Sequence, residues 1–123
     1  MQATLDAAAL CKMADRGQIA GGLLDGPLAF DNAISKEAAQ IKGITSAVAG
    51  DPDILLVPDL ESGNMLAKQL SFLANADSAG LVLGARVPII LTSRADSVRS
   101  RIASCGVAML AAHARRQQLQ ATT

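Results

Sequence analysis

Residues 85 to 105, ARVPIILTSRADSVRSRIASC, carry an apolar run directly into a serine- and arginine-rich helix start. That junction constrains the fold more than any other stretch. Ile89, Ile90 and Leu91 read as a short core strand, and Thr92, Ser93, Arg94 and Asp96 follow where the chain must turn from sheet to helix. The unpaired amides and partial positive charge of a helix N-terminus stabilise phosphate or a developing oxyanion. Arg86, Arg94, Arg99 and Arg101 crowd the same stretch of sequence.

The rest of the chain is read outward from there. Thr4 is placed to cap a helix over Leu5 to Arg16, with Leu5, Ala9 and Met13 on one stripe. Ile19 to Leu24 is expected as a core strand closed by Asp25, Gly26 and Pro27, and Ser35 and Gly43 bracket a short helix. Ile54 to Val57 reads as a fully apolar strand ended by Pro58 and Asp59. Ser62 is expected to cap a helix ending near Asn75, with Leu66, Leu70 and Leu73 on one face. Leu81 to Leu83 and Val87 to Leu91 are joined too tightly for a parallel crossover, so they are expected to pair antiparallel. Val98, Ile102, Cys105, Met109 and Ala112 repeat at helical spacing before a polar stretch, 115 to 123, that reads as a flexible tail. Helices alternating with strands in this order specify a layered α/β sheet.

Composition narrows the function. Eleven basic and eleven acidic side chains cancel, and there are only two aromatic residues, Phe30 and Phe72, which argues against nucleic-acid binding. The apolar runs are too interrupted for a membrane span. Two distant cysteines and one histidine furnish neither a disulfide framework nor a zinc site, and a cytoplasmic setting is expected. No dinucleotide fingerprint, P-loop, nucleophile elbow or S-x-x-K motif is present.

Ser93 and Asp96 admit two readings. Their spacing is close to that of a capping box, in which two side chains satisfy backbone donors reciprocally. Equally, a hydroxyl and a guanidinium coincide with a helix end at a strand terminus, where open α/β sheets place their ligands.

The segments LLDGPLAFDNAIS (23 to 35), PDILLVPDLESGNMLAKQLSFL (52 to 73) and GLVLGARVPIILTSRADSVRSRIASC (80 to 105) resemble the C-terminal part of the phosphate acetyltransferase and phosphate butyryltransferase family, the butyryl-type branch more than the acetyl-specific one. The resemblance covers nearly the whole of residues 1 to 123. It implies a three-layer α/β/α sandwich with a mixed sheet, resembling the isocitrate and isopropylmalate dehydrogenase-like fold, of which this chain is a part. It further implies transfer of an acyl group between coenzyme A and inorganic phosphate, with coenzyme A as substrate, no tightly bound cofactor, no metal and commonly a dimer. Ser93 and Arg94 match the family's serine–arginine pair, with Asp96 a candidate for the base, although acetyl-type members place their aspartate further into the helix. Asn64, Asp31, Arg86 and Arg99 are expected to line the substrate cleft. The alternative is a non-catalytic remnant that folds, oligomerises and binds coenzyme A or phosphate without turnover.

Overall fold

The computed structural model describes residues 1 to 121, in two compact units, Met1–Gly63 and Asn64–Thr123. The first unit opens on α1 (Gln2–Asp15), which ends at Arg16 and Gly17, the latter at φ +71° where an L side chain would be strained. Cys11 Sγ donates to the Gly26 carbonyl at 3.5 Å, and burial pushes its thiol pKa up. Two short helices, α2 (Phe30–Ile34) and α3 (Lys36–Ile41), pack against each other; the sequence anticipates only the second. Ser35 caps α3, its hydroxyl accepting the Ala38 N–H at 3.2 Å. Asn32 and Ala39 are the buried residues of this pair.

Two expected strands do not form. Ile19 to Leu24 is interrupted by Gly21, whose φ of +92° turns the backbone out of the extended region. Ile54 to Val57 meets no partner strand among the described residues, and its flanking prolines, Pro52 and Pro58, donate no backbone N–H. Ile54 and Leu56 stand in water, at 84% and 78% exposure. Apolar composition called for burial there, but a strand requires a hydrogen-bonding neighbour as well.

The boundary between the units falls inside α4 (Leu60–Phe72). Asp59 rather than Ser62 serves its start, accepting the Ser62 N–H on Oδ1 at 2.7 Å. The helix closes on Asn75 at φ +52°, a residue type that tolerates the left-handed region.

In the second unit, β1 (Leu81–Val82) and β2 (Ile89–Ile90) pair antiparallel, Leu81 opposite Ile90 and Val82 opposite Ile89, as expected though shorter. One long helix, α5 (Val98–Ala121), packs on both strands. It continues helically through residues 115 to 121, where the sequence suggested a tail; residues 122 and 123 of that stretch lie outside the described residues. Ser104 and Ala108, one turn apart, are its buried positions. The two-stranded ribbon is the whole sheet among the described residues, so the molecule is a mixed helical structure with a small sheet.

Candidate functional site

The candidate site is the turn between β2 and α5. Leu91 donates its N–H to the Gly80 carbonyl at 3.1 Å, extending the ribbon to its open end, and Thr92 to Ser97 then lead into the helix. The Ser93 N–H donates to Asp96 Oδ2 at 2.6 Å, Ser93 Oγ accepts the Ala95 N–H at 3.3 Å, and the Asp96 N–H returns to the Ser93 carbonyl at 3.1 Å. This is the reciprocal local bonding that the Ser-x-x-Asp spacing suggested, but it closes the turn rather than the helix. The cap of α5 is Ser97, whose Oγ accepts the Ser100 N–H at 3.1 Å.

Ser93 and Arg94 are exposed and Asp96 is half-buried. From the second turn of α5, Arg101 Nη2 reaches the Arg94 carbonyl at 3.4 Å, so the turn is gripped from inside by Asp96 and from the helix by Arg101. Arg99 is held by Asp77 at 2.6 Å, which draws its guanidinium toward the segment preceding β1.

Arg86 lies elsewhere. The antiparallel ribbon puts the 83–88 connection at one end and the Ser93–Arg94 turn at the other, so sequence proximity does not become spatial proximity. Arg115 near the far end of α5 donates from Nη1 to the Ala85 carbonyl at 2.6 Å, fixing that connection. Arg101 and Arg115 are separated by about 21 Å along the helix at the usual rise per residue. Sequence reasoning missed Arg115; the available signal was its spacing, on the same helical stripe as Ser104 and Ala108.

Asn64 sits in the second turn of α4, which packs against no other element. Asp31 belongs to the first unit, ion-paired with Lys42 at 2.8 Å, and that hydrogen bond holds its carboxyl below the usual carboxylate range. Within the second unit the geometry thus brings Ser93, Arg94, Asp96 and Arg101 together and leaves Asn64 and Arg86 outside that group.

The zero net charge conceals an asymmetry. Asp77 and Asp96 are the only acidic residues of the second unit, against Lys68 and six arginines, whereas the first unit sets nine carboxylates against Lys12, Arg16, Lys36 and Lys42. An anion approaching the second unit therefore meets a net positive charge. Among the described residues no His/Cys/Asp/Glu group is arranged to hold a metal ion, and no helix is long and apolar enough to cross a membrane.

The second unit thus presents a serine–arginine turn at the entrance of a long helix, in a mixed α/β setting with an excess of basic residues. Residues 1–111 match the family model described as phosphate acetyl/butaryl transferase. The chain is 74% identical over 113 residues to a phosphate acetyltransferase of Rhizobium meliloti, covering 92% of this chain and 36% of that protein. It is 52% identical over 112 residues to a phosphate butyryltransferase of Clostridium beijerinckii, covering 91% of this chain and 37% of that protein. A branched-chain phosphotransacylase from Enterococcus faecalis V583 superposes with a TM-score of 0.72 at 35% identity, covering 89% of this chain and 39% of the other. The chain belongs to the phosphate acetyl/butyryltransferase family and spans a little over a third of the length of these relatives. Both acetyl- and butyryl-named relatives match; those at 69–74% identity carry the acetyl name, and those named butyryltransferase lie at 49–52%.

Proposed function

We propose that this chain contributes the phosphate-handling turn of an acyltransferase that moves an acetyl or butyryl group between coenzyme A and inorganic phosphate. The observation that carries the reading is the Ser93–Arg94 pair, exposed on a turn that Asp96 and Arg101 both hold in place, within a family named for that chemistry.

Towards acyl-CoA, the thiolate of coenzyme A attacks the carbonyl of the acyl phosphate, a tetrahedral oxyanion forms, and phosphate leaves with the electron pair of the broken C–O bond. A free thiol is only a few per cent ionised at neutral pH, so removing its proton accounts for about 2 kcal/mol of the barrier. Most of the remaining task is electrostatic. Arg94 offers a planar fork to the phosphate oxygens, and the Ser93 hydroxyl donates to the carbonyl oxygen as charge gathers there. Asp96, whose carboxylate accepts the Ser93 N–H, is proposed as the base for the thiol proton, and Asn64, Asp31 and Arg99 as further substrate contacts in the assembled enzyme.

The same reading carries the three-layer α/β/α sandwich of the dehydrogenase-like type for the whole enzyme, a cytoplasmic setting and a homodimer. The structural likeness to a phosphotransacylase supports the first, and the molar mass in solution tests the last. The decisive experiment supplies acetyl-CoA or butyryl-CoA with phosphate and follows the released thiol with a thiol reagent. Thiol release that depends on phosphate is expected. Retained coenzyme A binding without thiol release would make the chain a binding remnant.

A further inference from the structure

One face of α5 has no role in packing on the ribbon. Ser104, which accepts the Gly80 N–H, and Ala108 are buried and mark the side that meets the strands. At the helical pitch, Gly106, Met109, Leu110 and His113 stand roughly 120–180° round the axis from that side. Met109 is 73% and Leu110 71% exposed, and Ile102, at 66%, continues the apolar strip toward the start of the helix.

These positions have the geometry of a socket for another helix. Gly106, Met109, Leu110 and His113 fall at i, i+3, i+4 and i+7, the four corners of a hole into which a facing helix inserts one side chain. An open depression of about 560 Å3 lies there, lined by those four residues with Ala112 and Arg116. Gly106 deepens it, since a Cβ at that position would meet open space. Arg99, Ile102, Ala103 and Gly106 form the corresponding hole one heptad earlier, the spacing at which a second helix repeats its own knobs. Every lining residue of the depression comes from α5, so it has a single wall, whereas small-molecule sites enclose most of their ligand.

Charge identifies the kind of helix. α5 contains Arg99, Arg101, Arg115 and Arg116 and no acidic residue, and His113 and Arg116 stand on the rim of the depression. Two copies of α5 laid face to face would set arginines against arginines with no carboxylate on either side, which disfavours a second copy as the occupant. An apolar knob flanked by Asp or Glu suits both the strip and its rim.

We propose that the face of α5 centred on Gly106 is a docking surface for an amphipathic helix of another polypeptide, one that presents large apolar side chains at heptad spacing flanked by carboxylates. The inference makes no use of the Ser93–Arg94 turn and stands independently of the acyltransferase reading.

Fluorescence anisotropy tests it with the 123-residue chain and three labelled synthetic helices. One carries leucine at heptad a and d with glutamate at e and g, the second replaces glutamate by lysine, and the third is α5 itself, residues 98 to 121. Saturable binding of the glutamate helix is expected, about tenfold or more tighter than that of the lysine helix or of α5. Gly106→Leu fills the socket from a position with open space, and is expected to weaken the glutamate helix about tenfold or more while helicity by circular dichroism is retained. Leu110→Ala removes one corner and is expected to weaken it as well, which serves if Gly106→Leu does not fold. No saturable binding of the glutamate helix, or binding unchanged in both variants, overturns the docking surface. Equal binding of the glutamate and lysine helices overturns the acidic partner. Tighter binding of the α5 peptide than of the glutamate helix overturns it too, and makes the occupant a second copy.

Discussion

Ser104 and Gly80 are joined by a hydrogen bond in which the buried hydroxyl accepts the glycine N–H at 3.0 Å while donating to the Ser100 carbonyl at 2.7 Å. One side chain thereby fastens the start of the ribbon to α5. Ser104→Ala leaves the Gly80 amide without its partner and is expected to cost about 1–3 kcal/mol. Urea unfolding followed by circular dichroism measures it, and a midpoint equal to that of the unaltered chain would show that the fastening contributes nothing.

Asp96 separates two roles by substitution. Asp96→Asn keeps an oxygen able to accept the Ser93 N–H, whereas Asp96→Ala removes it. If the carboxylate acts by shaping the turn, phosphate affinity survives in the first variant and falls by about 1 kcal/mol in the second. If it acts as the base, both variants retain phosphate affinity and both lose the thiol-release rate. Titration calorimetry and the thiol assay together distinguish the two.

Acid should act first on the amino-terminal unit. Lys42 holds the Asp31 carboxyl below its ordinary range, Lys36 does the same for Asp51, and hydrogen bonds from Ser62 do so for Asp59. A carboxylate whose folded-state pKa is depressed contributes stability present above its unfolded value, near 4, and loses it as pH falls through the folded value. Stability is therefore expected to be flat from neutrality to about pH 5 and to decline below about pH 4. These pairs are exposed, so the decline should be shallow and reduced by salt. A stability that rises on acidification would contradict the pairing.

Two glycines predict opposite signs. Gly106 lies inside α5 with open space where a Cβ would stand, so Gly106→Ala is expected to stabilise by about 0.5–1 kcal/mol. Gly50 sits at φ +87° with its missing Cβ directed at the Lys36 backbone, and Gly50→Ala is expected to destabilise by more than about 1 kcal/mol. Thermal melts of the two variants should move in opposite directions.

Apolar spacing and the turn residues between elements made α1, α3, α4, the hairpin and the start of α5 legible in the sequence, because those signals are local to each element; burial is not the reason, since α1 and α4 contain no buried residue. Ile54 to Val57 was misread for a different reason. Its composition records a demand for burial, while strand formation depends on a partner that local pattern cannot supply. The candidate turn was legible in Ser93, Arg94 and Asp96, but its division of labour was not: Ser97, four residues beyond Ser93, takes the capping duty. Arg86 illustrates the remaining gap. Eight positions from Arg94 in sequence, it is carried to the opposite end of the ribbon by the antiparallel reversal, a topological fact invisible to spacing along the chain.

The single uninterrupted run of α5 also limits how this protein can vary. Inserting one residue between Arg101 and Arg115 would lengthen their separation by about 1.5 Å and swing the second guanidinium roughly 100° around the axis. Only steps of nearly whole turns return it to the hairpin. The gauge between the two basic ends is therefore quantised, and a descendant chain can change the residues it presents far more readily than the reach it spans.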